Sequence, residues 1–174
     1  MKCAVVADHR AFFDSGHAQE TQTMAYNPTK HHRRSIRLAG YDYAQMGLYY
    51  VTLVTRAREA LFEAAPLREV ALSFWLQLPE RFPSVALDEF VLMPNHLHGI
   101  LIFTEPANYS LSVVVGQYKS RTTKQINRML HTGGSDVWQR NYYERIIRSD
   151  AELNAFRRYI RDNPAQWELD ENYR

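Results

Sequence analysis

Residues 91–103 read VLMPNHLHGILIF. Pro94 and Asn95 interrupt two apolar runs, and the second run opens with two histidines two positions apart, His96 and His98. Short apolar runs on either side of a turn signal predict two strands, 85–93 (VALDEFVLM) and 96–105 (HLHGILIFTE). Their link is too short for anything but a tight antiparallel connection. In a strand, side chains at i and i+2 share a face. His96 and His98 therefore project together, Ile100 and Ile102 continue their face, and Leu97, Leu101 and Phe103 form the other. A strand that is apolar on both faces belongs in the middle of a sheet covered twice.

The flanking sequence completes the plan. GLYYVTLVTR (47–56) is aromatic and β-branched and predicts a strand. PLREVALSFWLQLPERF (66–82) opens on a proline suited to a first helical turn, with Leu67, Val70, Ala71, Phe74 and Leu78 on one face. SLSVVVGQYKSRTTKQINRML (110–130) predicts a helix with Ser110 able to cap it and Leu111, Val114, Val115, Tyr118, Thr122, Ile126 and Met129 buried. HTGGS (131–135) stops it. DVWQRNYYERIIR (136–148) predicts another strand, and 150–169 a last helix capped by Ser149 or Asp150 and broken near Pro164. The order β-α-β-β-α-β plus a terminal helix predicts an α+β fold: a ferredoxin-like (RRM-like) antiparallel sheet with helices on one face and a further C-terminal helix. Many functions share this plan, so the sites must supply the chemistry.

Residues 1–38 lack sustained periodicity and predict a flexible arm, basic at its end through Lys30, Arg33, Arg34 and Arg37. The folded domain is expected to be 39–174. Residues 1–25 are expected to be dispensable, with Met24 a candidate start. The 174 residues suit one domain, and 45% hydrophobic content supplies a core. Lys plus Arg total 21 against 19 for Asp plus Glu, so overall charge does not announce a nucleic-acid partner and its distribution must decide. A lone cysteine, Cys3, excludes an internal disulfide framework and fits a reducing compartment. No apolar run approaches the roughly 20 residues of a membrane span, and the N-terminus lacks the apolar segment of a signal peptide. A cytoplasmic protein with no membrane partner is expected. No Walker-type phosphate loop occurs, so no nucleotide cofactor is expected either.

Three features carry chemistry. Two adjacent imidazoles can hold one divalent metal when a third ligand arrives from elsewhere; they can equally be hydrogen-bonded structural groups at a strand end. In YIRDNP (159–164), Tyr159 and Asn163 are one helical turn apart, and Pro164 places Asn163 in the last turn. A phenol and an amide oxygen then point together, a nucleophile beside a hard oxygen ligand, or else an ordinary surface tyrosine with a capping asparagine. Finally, 106–135 contains no Asp or Glu but holds Lys119, Arg121, Lys124 and Arg128. Arg121, Lys124 and Arg128 fall at i, i+3 and i+7, a stripe suited to a phosphate backbone. Arg33, Arg34 and Arg37 offer a second contact, and Tyr142 and Tyr143 could stack on bases or pack in the sheet.

MPNHLHGILIF resembles the HUH motif (histidine, bulky hydrophobic residue, histidine) of single-tyrosine transposases. VWQRNYYERIIRS with YIRDNP, and HHRRSIRLAGYDYAQMGLYYVTLVTR nearer the start, resemble the REP-associated tyrosine transposase branch, so the similarity spans about Tyr26 to Arg174. Its middle, 63–90, looks shorter than in that family, as though a hairpin after the first strand were missing. The resemblance implies an HUH catalytic domain over 39–174, with Tyr159 as nucleophile and His96, His98 and Asn163 as ligands of Mg²⁺ or Mn²⁺. It implies metal-dependent cleavage and strand transfer on single-stranded or hairpin DNA through a 5′-phosphotyrosine, by a monomer or a homodimer. Two other classes stay open on the residues alone. One is a non-catalytic nucleic-acid binder on the same sheet; the other is a metal phosphodiesterase that uses water.

Overall fold

Alternating apolar residues build the sheet around the strand read first. The computed structural model describes Leu38 and residues 40–169; the arm bearing Arg33, Arg34 and Arg37 lies outside the described residues. Strands β1 (Gly47–Val54), β2 (Val85–Leu92), β3 (His96–Phe103) and β4 (Tyr143–Ile147) form one sheet in the order β2-β3-β1-β4. All three pairings are antiparallel. Every residue of β3 is buried, as expected for a central strand covered on both sides. The β2–β3 hairpin closes with the Met93 N–H donating to the His96 carbonyl at 2.8 Å. This is the ferredoxin-like α+β arrangement, with helices α1 (Ala65–Leu76), α2 (Leu78–Arg81) and α3 (Leu111–Leu130) on the chain's two crossovers and α4 (Asp150–Asp162) at its end.

The two sheet faces bury different things. One carries the larger core: Tyr49, Val51 and Leu53 of β1 and Leu97, Leu101 and Phe103 of β3 under Ala71 and Trp75 of α1 and Val114, Val115, Tyr118 and Ile126 of α3. The other carries Leu48, Tyr50, Ile100, Ile102 and Ile147 under Leu153, Phe156 and Ile160 of α4. The helices thus divide between the faces, α4 alone lying on the histidine side.

Several boundaries differ from the sequence reading, each for a local reason. The helix expected over 66–82 is two helices, because Pro79 lacks the N–H that would continue the ladder and Gln77 takes φ −79°, ψ −3° between them. Trp75 is its key buried residue, whereas Val70 and Phe74 are only half-buried. Trp75 fills the space that Gly99 leaves: a Cβ there would sit 2.5 Å from its ring. The strand expected over 136–148 is short; residues before Tyr143 touch the sheet through a single bridge, Thr55 to Trp138, and instead feed Val137 and Trp138 into the core. Ser110 makes no capping bond with its side chain, its hydroxyl pairing with Ser112 at 2.7 Å. Met129 is 38% exposed, since α3 has by then run past the sheet. Helix α4 starts at a true cap, the Ser149 hydroxyl accepting the Glu152 N–H at 3.2 Å. It ends before Pro164, and a 3₁₀ turn (Asn163–Leu169) follows. Between β1 and α1 the helical elements of the described chain are two 3₁₀ turns, Arg56–Arg58 and Leu61–Glu63.

Candidate active site

The strand register assembles a polar cluster on the α4 face. Thr52 of β1 is paired with His98 of β3, and Val54 with His96. Thr52 and Tyr143 are paired on the other side of β1. Because alternate residues share a face, Tyr50, Thr52, His96, His98 and Tyr143 all look toward α4. His96 and His98 are 0% and 2% exposed with ring centroids 4.4 Å apart. Each ring is held at Nδ1. That of His96 meets the Asn95 Oδ1 at 2.8 Å; that of His98 meets the Tyr50 hydroxyl at 2.7 Å and the Thr52 hydroxyl at 2.9 Å. The arrangement turns the Nε2 side of the His98 ring toward what α4 supplies.

Helix α4 supplies Tyr159. Its hydroxyl lies 3.5 Å from His98 Nε2, and the two rings meet edge to face at 5.2 Å. Asn163 is buried one turn on, its N–H donating to the Tyr159 carbonyl. Tyr159 thus meets His98, and Asn163 caps the same turn. Of the rival tyrosines, Tyr143 shares the histidine face but sits beside Tyr50, ring centroids 6.2 Å apart, while Tyr142 packs against the opposite core.

What aims Tyr159 is a feature the sequence did not announce. Strand β2 bulges where Asp88 and Glu89 together oppose Ile100. Both carboxylates can then face α4. The Arg157 guanidinium grips Asp88 through two bonds, at 2.8 and 2.5 Å, and Arg161 reaches Glu89 at 3.8 Å. Asp88 is 2% exposed on its side chain, so the pair is a buried clamp between helix and sheet, and the Asp88 bond raises the Arg157 pKa further above its ordinary value. Arg157 is accordingly committed to Asp88. Tyr50, Thr52 and Trp167 were also missed. Tyr50 stacks on Phe156 at 4.3 Å, and the 3₁₀ turn after α4 brings Trp167 to 5.6 Å from the His96 ring. Only the β1–β3 register could have flagged Tyr50 and Thr52, and that register is a tertiary fact.

The donor chemistry of these side chains is neutral throughout. Among the described residues no three of His, Cys, Asp or Glu group to hold a metal. Two imidazoles with the Asn163 amide oxygen would make a site carrying no negative charge of its own. Such a set suits a cation whose charge is balanced by a bound phosphate rather than by the protein.

The basic stripe lies elsewhere. Helix α3 covers the face opposite the histidines. Arg121 folds back on α1, its guanidinium 4.4 Å over the Phe74 ring and bonded to Gln77 at 3.1 Å. Arg128 is exposed and bonds Gln125, while Lys124 lines an open groove of about 660 Å³ with Lys119, Asn127, Trp138 and Arg140. The structure thus brings Tyr159 to the histidine pair, with Asn163 one turn further along, and leaves Arg121, Lys124 and Arg128 on the opposite face. No helix among the described residues is long and apolar enough to cross a membrane.

Comparison with known proteins points to one family. The family described as "Transposase IS200 like" matches residues 45–163. A Haemophilus influenzae protein described only as uncharacterized is 37% identical over 87% of this chain and 98% of its own length. A second protein of that organism, provisionally named a REP-associated tyrosine transposase, is 28% identical over 72% of this chain and 74% of its own. A solved structure of a REP-associated tyrosine transposase bound to a REP hairpin superposes with a TM-score of 0.60 at 20% identity, covering 74% of each chain, a likeness of fold. The family match takes in all four strands and runs through the tyrosine helix to Asn163, and on it the chain belongs to the IS200-like transposase family.

Proposed function

We propose that the chain is a DNA transposase that cleaves and rejoins single-stranded or hairpin DNA with Tyr159 as its nucleophile. The observation that carries this reading is the Tyr159 hydroxyl 3.5 Å from His98 Nε2, on a helix fixed to the sheet by the Arg157–Asp88 clamp. A fixed nucleophile facing a fixed site for the scissile group is what in-line attack requires. The hairpin-bound relative supports DNA as the partner.

Tyr159 Oη attacks the scissile phosphorus, the bond from phosphorus to the 3′ oxygen breaks, and the phenol gives up its proton as the departing oxygen gains one. The products are a 5′-phosphotyrosine and a free 3′-OH. A 3′-OH from another end reverses the step, so the phosphodiester energy is kept in the covalent bond and no nucleotide is needed. His96, His98 and Asn163 would hold Mg²⁺ or Mn²⁺, which supplies positive charge against the phosphate when bound. Tyr50 and Thr52 orient the His98 ring. Phe156 and Tyr50, stacked at 4.3 Å, keep this floor apolar and hold water off the helix side.

The test is capture of a covalent adduct on labelled single-stranded hairpin DNA with Mn²⁺. The wild-type chain should form one that maps to Tyr159, and Tyr159→Phe should form none while still binding DNA. Cleavage without an adduct would indicate the water-using phosphodiesterase, and binding without cleavage a non-catalytic binder. Either result removes the transposase reading.

A further inference from the structure

We propose that Asn95 is a positioning residue for the histidine site: it fixes the His96 ring as the Nδ1–H tautomer and so keeps the Nε2 lone pair for a cation. The purpose rests on the metal reading above; the tautomer itself does not.

Asn95 is held by a strained turn. After β1 the chain makes a 3₁₀ turn in which Ala57 and Arg58 are both left-handed, at φ 53° and 59°. Neither is glycine, so each conformation costs free energy that neighbouring contacts must offset. Those contacts are present: the Thr55 N–H donates to the Asn95 carbonyl at 2.8 Å and the Thr55 hydroxyl to the Glu59 carbonyl at 2.8 Å. The turn presents the Arg58 carbonyl to the Asn95 side chain, 3.2 Å from Nδ2. A carbonyl only accepts, so the amide nitrogen of Asn95 must face it. The amide oxygen must then face the other way, where it lies 2.8 Å from His96 Nδ1. An amide oxygen also only accepts. Nδ1 must therefore carry the proton, and in the neutral ring Nε2 cannot. A chain of donors and acceptors thus runs from the Arg58 carbonyl through Asn95 to the His96 ring without a free choice at any link. Asn95 is 2% exposed, which keeps competing water away.

His98 makes the contrast. Its Nδ1 faces two hydroxyls, and a hydroxyl donates or accepts equally well, so its tautomer is not set in this way. One histidine is locked, while the other, the one beside Tyr159, is left adaptable.

Long-range ¹H–¹⁵N correlation spectra of the metal-free full chain at pH about 8, where imidazole is neutral, read the tautomer directly. His96 signals are assigned by their loss in His96→Gln. Wild type should show a protonated Nδ1 and a bare Nε2 at His96. Asn95→Asp keeps an acceptor beside Nδ1 and should keep that pattern. Asn95→Ala should give a tautomer mixture, and the Mn²⁺ concentration that broadens the His96 signals should rise about tenfold to a hundredfold. Wild-type His96 protonated at Nε2, or Asn95→Ala with unchanged tautomer and Mn²⁺ response, would overturn the proposal. Should Asn95→Ala fail to fold, the wild-type and Asn95→Asp spectra decide alone. A wild-type chain that takes no Mn²⁺ overturns the metal reading and the purpose given to Asn95; the metal-free spectra then tell the two failures apart.

Discussion

The two faces of the one sheet are built from the same strands and do opposite work. Along β1, Tyr49, Val51 and Leu53 enter the larger core, while the residues that alternate with them, Leu48, Tyr50 and Thr52, face α4. Along β3 the same alternation separates Leu97, Leu101 and Phe103 from His96, His98, Ile100 and Ile102. The first face is filled by aromatic and aliphatic side chains from α1, α2 and α3. The second has one helix, a smaller apolar cluster, and a polar end where the hydroxyls of Tyr50, Thr52 and Tyr159 surround His98. A sheet lets these roles sit a strand's thickness apart because period-2 geometry keeps the two sets of side chains from mixing. Stability can then be concentrated on one side, leaving the other to hold groups that a well-packed apolar core would exclude.

The division can be broken by substitutions on either side, read by denaturant unfolding. The largest loss of stability should come from Trp75→Ala, about 3–5 kcal/mol, since the ring is fully buried and fills the space above Gly99. If that loss is under 1 kcal/mol, the helical face is not the main source of stability. Next is Asp88→Ala, about 3 kcal/mol, because it leaves the Arg157 guanidinium in a largely buried place without its partner. This variant should also weaken adduct formation by more than its stability loss explains, since the clamp aims Tyr159; adduct yield unchanged at a temperature where the variant stays folded would refute that aim. Ser149→Ala should cost about 1 kcal/mol as a lost helix cap, with thermal unfolding as the check. Smallest is Tyr159→Phe. Phenylalanine keeps the half-buried ring beside His98 and removes a hydroxyl that approaches His98 Nε2 at 3.5 Å, so stability should move by no more than about 0.5 kcal/mol, although adduct formation disappears. A loss comparable with Trp75→Ala would mean that Tyr159 is a structural residue and that the two faces are not divided as described.

The strand VLMPNHLHGILIF and the interval from Tyr159 to Asn163 were enough to put two histidines on one face and a phenol one turn from an amide, because periods of 2 and 3.6 are local geometry. The fold class followed from element order in the same way, and Ser149 was legible as a cap because capping needs only neighbours in sequence. Where local signals conflicted, the reading slipped: Trp75 broke the expected face of α1, and 136–142 looked strand-like although only Trp138 bridges the sheet. Aromatic and β-branched residues suit any half-buried surface, and nothing local says whether a partner strand is there. The basic stripe on α3 was real as a spacing, yet Arg121 spends its charge over Phe74 and the helix lies across the sheet from Tyr159. The fate of Arg157 shows the same limit. Its partner, Asp88, is 69 residues away and reaches it only because β2 bulges at that point. Local sequence set which side chains share a strand or helix face, since backbone geometry imposes that within a few residues. Tertiary structure alone decided which faces meet, and with that which charges are clamped and which nitrogen of His96 bears the proton, because those depend on partners that the chain brings together only by folding.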